Sequence, residues 1–215
     1  MDKKIVIEAL QTLRKDAKDR KFTQSIDFVI NLKDLDLKKQ EQQVDFYFKA
    51  PHGLGKNRKV CALVGPELVD DAKKVFDRTI IHSDFTTIDK TAAKKLAEEF
   101  DFFVAQANVM SKVAASFGRV FGPRGKMPNP KAGCVVPPKA DLNAIKANLA
   151  STIRLQAKSS PIIQVRIGST EMDDDKIAEN ILSLYDAIVH HLPQEKNNLK
   201  TGLLKLTMSK AVKVF

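Results

Sequence analysis

The residues of this chain that could do chemistry are cations, glycines and hydroxyls held close together. The densest set is the run Phe121-Gly122-Pro123-Arg124-Gly125-Lys126-Met127-Pro128-Asn129-Pro130-Lys131-Ala132-Gly133, with three glycines, three prolines, three cations and no acid. Proline fixes φ and lacks an N–H, and glycine admits backbone states that other residues avoid, so no regular element runs through it. Such a loop is equipped to meet phosphate, although a solvated connector of the same composition needs no function. A second set, Arg14-Lys15-Asp16-Ala17-Lys18-Asp19-Arg20-Lys21, concentrates cations directly before Phe22. With the hydroxyls of Thr23 and Ser25, and of Thr207 and Ser209 toward the other end, it offers the phosphate and 2′-hydroxyl contacts that RNA accepts.

Other chemistries find little support. Gly53-Leu54-Gly55-Lys56 looks suited to phosphate, but it precedes a strand and lacks the Ser/Thr helix start of a P-loop. The turn Val64-Gly65-Pro66-Glu67 has one glycine, a proline, and an acid that repels phosphate, so it makes a poor dinucleotide site. A nucleotide-dependent enzyme is the alternative, and it rests on the parallel sheet alone. His190 and His191 are adjacent, about 100° apart on a helix, and His52 and His82 lie far from them. No nucleophile-elbow motif occurs. Cys61 and Cys134 belong to no paired motif and read as reduced thiols. No catalytic residue, cofactor or metal is expected.

Composition narrows the partner. The 215 residues carry 36 Lys+Arg against 26 Asp+Glu, a net charge of +10, and 43% are hydrophobic. A packed core is therefore affordable, and the surplus charge suits a phosphate backbone. No apolar run reaches the roughly 18 residues of a membrane span. Met1-Asp2-Lys3-Lys4-Ile5-Val6-Ile7-Glu8 reads as the start of an amphipathic helix rather than a signal peptide, so a cytoplasmic protein is expected.

The elements that must position these residues come in two styles. From Phe22 the chain alternates: Phe22, Gln24, Ile26, Phe28, Ile30 and Leu32 on one face of a strand, Thr23, Ser25, Asp27 and Asn31 on the other. Val44 to Lys49 alternates likewise, and so does Ile163 to Ile167. A helix from Asp173 to about Leu192 carries its apolar stripe at Ile177, Ile181, Leu184/Tyr185, Ile188 and Leu192. A last strand is expected from Leu203 to Phe215, burying Leu204, Leu206, Met208, Val212 and Val214, with Lys205, Thr207, Ser209 and Lys213 outward. Between these ends, apolar strands at Val60–Val64, Arg78–His82 and Phe102–Ala105 alternate with helices at Glu67–Phe76, Thr87–Phe100, Val109–Val120 and Asp141–Ser151, which means βαβ units and a parallel sheet. The expected architecture combines α/β and α+β: an antiparallel α+β domain from both termini (1–59 plus 154–215) and an inserted Rossmann-like βαβ domain (60–153). Two connections, near Gly53–Lys59 and Ser151–Arg154, form a double-stranded hinge that permits closure.

The loop at 121–133, taken with Pro51-His52-Gly53-Leu54-Gly55-Lys56, Lys21-Phe22-Thr23-Gln24-Ser25 and Leu206-Thr207-Met208, resembles the ribosomal protein L-one family, the side-stalk proteins of the large ribosomal subunit. The likeness runs end to end, and its spacing is similar to the archaeal branch. It implies a protein that is monomeric when free and part of the ribosome when bound. Its implied partners are large-subunit rRNA at the stalk, exit-site tRNA and its own mRNA, whose translation it would repress. The implied RNA surface falls on Lys21, Phe22, Thr23 and Ser25 and on Lys205, Thr207, Met208 and Ser209, adjoined by Lys158 and Gly168-Ser169. Arg124, Lys126 and Lys131 of the basic loop are candidates for secondary contact with RNA or tRNA. The family's usual Thr-Met-Gly-Pro reads Thr207-Met208-Ser209-Lys210 here, so a contact that depends on glycine's freedom is expected to weaken, with Lys210 offsetting the loss.

Overall fold

A computed structural model describes residues 1–215 apart from Asp19 and Lys139, so the Asp19 of the cationic segment lies outside the described residues. The N-terminal stretch forms α1 (Lys3–Lys15), β1 (Ser25–Leu32) and β2 (Val44–Lys49). The middle forms β3 (Val60–Val64), α2 (Val69–Val75), β4 (Arg78–Ile81), α3 (Lys90–Glu99), β5 (Phe102–Gln106), α4 (Met110–Phe121), β6 (Val135–Val136) and α5 (Leu142–Ser151). The C-terminal stretch forms β7 (Thr152–Ala157), β8 (Ile162–Ser169), α6 (Asp174–His191), β9 (Leu199–Leu206) and β10 (Val212–Lys213). The chain divides into two compact units, Met1–Lys56 with Ser151–Phe215, and Asn57–Ala150.

In the terminal unit an antiparallel sheet has the order β10-β9-β1-β8, beside a β2-β7 ribbon. Along β1 the period of two is complete: Ile26, Phe28, Ile30 and Leu32 are buried, while Ser25, Asp27, Val29 and Asn31 are half-buried. The buried face packs on Val6, Leu10 and Leu13 of α1 and on Ile177, Ile181, Leu184 and Ile188 of α6. Each such side chain contributes roughly 1.5–3 kcal/mol by leaving water. α6 carries Asp174 and Asp175 in its first turn and His190 and His191 in its last. The acids there complement the helix dipole.

One polar residue lies inside that stripe. Asn180 is fully buried; its amide nitrogen donates to the carbonyls of Gly53 (2.9 Å) and Ile167 (3.3 Å), and its oxygen accepts the His52 N–H at 3.0 Å. It fastens the Pro51–Lys56 segment to α6 and β8. Gly55 has φ +62, and a Cβ there would run into the Ser169 hydroxyl and the Met172 side chain. Gly55 thus serves close packing, while Gly53, at φ +67 with open space about it, serves the turn.

The inserted unit has a parallel sheet in the order β4-β3-β5-β6, the Rossmann-like arrangement. β3 is buried along its whole length and feeds two cores. Cys61 and Leu63 join Leu96, Phe103, Val113, Phe117 and Phe121 on one side, and Val60, Ala62 and Val64 join Leu68, Ala72 and Leu149 on the other. A sheet covered on both faces explains why its strands read as continuous apolar runs. Burial pushes the Cys61 and Cys134 thiols up to about 12 and about 11, which leaves both as protonated core residues.

The structure corrects several expectations. β1 begins at Ser25, not Phe22, because Phe22, Thr23 and Gln24 precede the paired residues. The single strand expected from Leu203 to Phe215 is two strands, β9 and β10, joined by a turn. Met208 lies in that turn and is 60% exposed rather than buried. Thr207 and Ser209 therefore belong to a turn and not to a sheet face. β6 and β7 are additional strands; β7 pairs all six of its residues with β2, from Val44 opposite Ala157 to Lys49 opposite Thr152.

Candidate nucleic-acid interface

The rim of the terminal sheet where β1 starts and β9 ends is built by mutual hydrogen bonds. The Thr207 N–H donates to the Ser25 carbonyl at 3.2 Å, and the Ser25 N–H donates back to the Thr207 hydroxyl at 3.0 Å. The two hydroxyl oxygens are themselves 3.0 Å apart. One hydroxyl must donate to the other, so the pair keeps one O–H free to donate outward. Gln24 is turned inward, and its side-chain oxygen accepts the Met208 N–H at 3.1 Å. Phe22, 52% exposed, and Met208 stand on this rim as large apolar groups in water. Lys21 and Lys210 are exposed beside them.

Ser209 stands where the family's usual motif has glycine, and it is bonded within the turn. Its hydroxyl accepts the Leu206 N–H at 2.9 Å and donates to the Lys210 carbonyl at 2.8 Å. The only described non-glycine residues at positive φ are Asp34 and Glu195, so the turn makes no demand at Ser209 that a serine fails to meet. Ser209 thus needs no left-handed backbone, and its side chain itself closes the turn.

Other members of the expected set are placed differently. Thr23 donates its hydroxyl to Glu171 at 2.6 Å, beside the rim. Lys205 faces outward opposite Asp27, which also lies opposite Arg166, giving a cation–acid–cation row across β9, β1 and β8. Burial raises the Asp27 carboxyl pKa, against the opposing pull of Arg166 and Lys205. Gly168 and Ser169 pair with Ile26 and Ser25 but are buried, and the Ser169 hydroxyl is enclosed without a hydrogen-bond partner among the described residues. They support the rim from behind and are not on its surface. Lys158 lies apart from this rim. It follows β7, near the start of β8, and β8 runs antiparallel to β1, so it lies at the opposite end of the sheet, roughly 24 Å away at about 3.4 Å per residue. There it pairs with Asp45 at 2.7 Å.

Arg14, counted by sequence among the cations before Phe22, is a tie within the fold. Its guanidinium donates to the Asp174 carboxylate (2.7 Å) and to the carbonyls of Thr170 (2.8 Å) and Met172 (2.7 Å). In the inserted unit the basic loop is tied down in the same way. Arg124 donates to the Lys94 carbonyl and to Glu98, both at 3.0 Å, and Lys126 Nζ donates to the Phe100 carbonyl at 2.6 Å. Lys126 thus occupies the Phe100 carbonyl at the C-terminus of α3, where positive charge is favoured, while Arg124 bridges the Lys94 carbonyl within the helix and Glu98 in its last turn. Lys131 is exposed in a 3₁₀ turn capped by the Asn129 side chain, and Gly133 then leaves at φ +73 toward β6. The Gly65 N–H, which a dinucleotide phosphate would need, donates at 2.8 Å to the buried Gln106 side chain. Among the described residues no cluster of three His, Cys, Asp or Glu could hold a metal ion, and no helix is long and apolar enough to cross a membrane.

Hydroxyl donors, exposed apolar groups and cations on an open rim are the equipment of a binding surface. In comparison with known proteins, residues 13–210 match the Ribosomal protein L1p/L10e family. The chain is 41% identical to the large ribosomal subunit protein uL1 of Nanoarchaeum equitans, covering 93% of this chain and 95% of that protein. Against the uL1 of Thermococcus kodakarensis the identity is 37%, with 99% and 98% covered, and against that of Methanobrevibacter smithii it is 36%, with 97% and 98% covered. The chain belongs to the Ribosomal protein L1p/L10e family.

Proposed function

We propose that this chain is a structural component of the large ribosomal subunit and that its terminal unit binds large-subunit rRNA at the side stalk. The observation that carries this is the Ser25–Thr207 lock with Phe22 and Met208 exposed on either side of it. Lys21, Thr23, Lys205 and Ser209 complete the surface, and Arg166 in the outward row adds a cation to it. A rim of this type contacts phosphate and 2′-hydroxyl groups by hydrogen bonds while its apolar groups lie against sugar or base. In this reading Gly168 and Ser169 hold the strand end in place. Lys158, at the far end of the sheet, contributes at most a separate phosphate contact.

The likeness to the family extends the proposal to assistance in releasing deacylated tRNA from the exit site and to repression through the chain's own mRNA. Lys131 is the inserted unit's exposed basic-loop candidate for a secondary contact, since Arg124 and Lys126 already serve α3. The test is titration of the full chain against a transcript of the side-stalk segment of archaeal large-subunit rRNA. Tight, salt-dependent binding that exceeds binding to an unrelated duplex is expected; equal affinity for both would remove the assignment.

A further inference from the structure

Between the end of α1 and the β9–β10 turn lies an open cleft of about 710 Å³. Among the described residues its lining brings the apolar Leu13, Ala17 and Val212 together with Gln24, the cations Lys18, Arg20 and Lys210, and the acid Asp16. Met208, the most exposed large apolar side chain described, forms one wall. None of the three cations forms an ion pair with another described residue. Apolar side chains beside cations, continuous with the Thr207–Ser209 turn, suit a nucleobase with its phosphate.

We propose that this cleft receives one unstacked nucleotide of the bound RNA, its base against Leu13, Ala17 and Val212 beside Met208 and a flanking phosphate on Lys210. The proposal rests on the rRNA reading above and adds a subsite to it. Sequence-specific RNA recognition targets bases that can be splayed out of a helix, and a flexible thioether adapts to a flat ring. Lys210 is brought to the cleft because the Ser209 hydroxyl closes the turn through its bonds to Leu206 and Lys210. The two departures from the family's usual Gly-Pro therefore act together, one shaping the turn and the other charging it.

The experiment titrates the full-length chain and its Lys210→Ala, Ala17→Phe and Thr207→Ala variants against the side-stalk transcript over a range of salt. Lys210→Ala is expected to reduce the salt slope by about one unit and affinity several-fold. Ala17→Phe, which fills the cleft without altering charge, is expected to cost roughly tenfold at unchanged slope, in line with the loss of one base contact. A scan of abasic positions in the transcript should then find one base whose removal weakens wild type but not Ala17→Phe. Either variant at wild-type affinity, or no such base, overturns the subsite. If Thr207→Ala weakens binding while Lys210→Ala and Ala17→Phe do not, the rim reading stands and the cleft is removed. A Thr207→Ala chain at wild-type affinity overturns both.

Discussion

Ser25 and Thr207, 182 positions apart in sequence, close the end of the terminal sheet by exchanging backbone and hydroxyl hydrogen bonds. The Thr207 hydroxyl accepts the first N–H of β1 and still belongs to a pair that can donate outward. One side chain thus holds the rim's shape and supplies its chemistry.

The lock separates two substitutions. Thr207→Ala removes the acceptor of the Ser25 N–H and should lower unfolding stability by about 1 kcal/mol. Thr207→Ser keeps the hydroxyl and should hold both stability and RNA affinity near wild type. Denaturant unfolding of the two variants checks the first effect, and titration with the stalk transcript checks the second.

A pH dependence follows from Asp45. The Arg154 guanidinium grips both carboxylate oxygens, at 2.8 and 2.9 Å, and with Lys158 holds the Asp45 pKa down at about 2. A carboxylate whose folded pKa is depressed contributes stability above its unfolded value near 3.9, and that contribution is lost as pH falls through the folded value. Asp45→Asn should therefore be less stable than wild type at neutral pH, and the gap should close between about pH 4 and pH 2. Thermal melts at stepped pH test this; a gap that persists at pH 2 contradicts it.

The basic loop of the inserted unit is expected to behave as a brace. Arg124→Ala and Lys126→Ala each remove hydrogen bonds to α3 or its C-terminal end and should cost about 1 kcal/mol of stability. Their affinity for the stalk transcript should stay within twofold of wild type. Lys131→Ala, on an exposed side chain, should leave stability unchanged. Chemical denaturation of the three variants makes the comparison.

Much of the fold is legible where burial imposes a period. Ile26, Phe28, Ile30 and Leu32 announce β1, and Val60 to Val64 announces a strand covered on both faces. The errors have physical causes. Leu204, Leu206, Met208, Val212 and Val214 keep one parity through the β9–β10 turn, so alternation alone runs straight through it. The turn also lacks a glycine, because the Ser209 side chain closes it. β7 starts directly after α5, with no glycine or proline to mark the change, although Ile153, Leu155 and Ala157 alternate. β6 is two residues long, too short to show a period.

The candidate site is less legible than the fold. Ser25, Thr207, Met208 and Phe22 lie on one rim, but no residue spacing reveals that Ser25 and Thr207 bond to each other. Lys158 lies away from the rim because an eight-residue strand separates it from Ser169, and which end of a strand meets the rim depends on pairing direction. Arg14, Arg124 and Lys126 look like solvent cations in sequence, while their partners are backbone carbonyls far along the chain.

Footprinting of the full chain on archaeal large-subunit rRNA, with wild type and Thr207→Ala side by side, decides whether the Ser25–Thr207 rim is the RNA-binding surface. One protected region at the side stalk, present with wild type and strongly reduced with Thr207→Ala at equal protein concentration, is the predicted result. Protection that is unchanged by the substitution, or that falls elsewhere in the RNA, contradicts it.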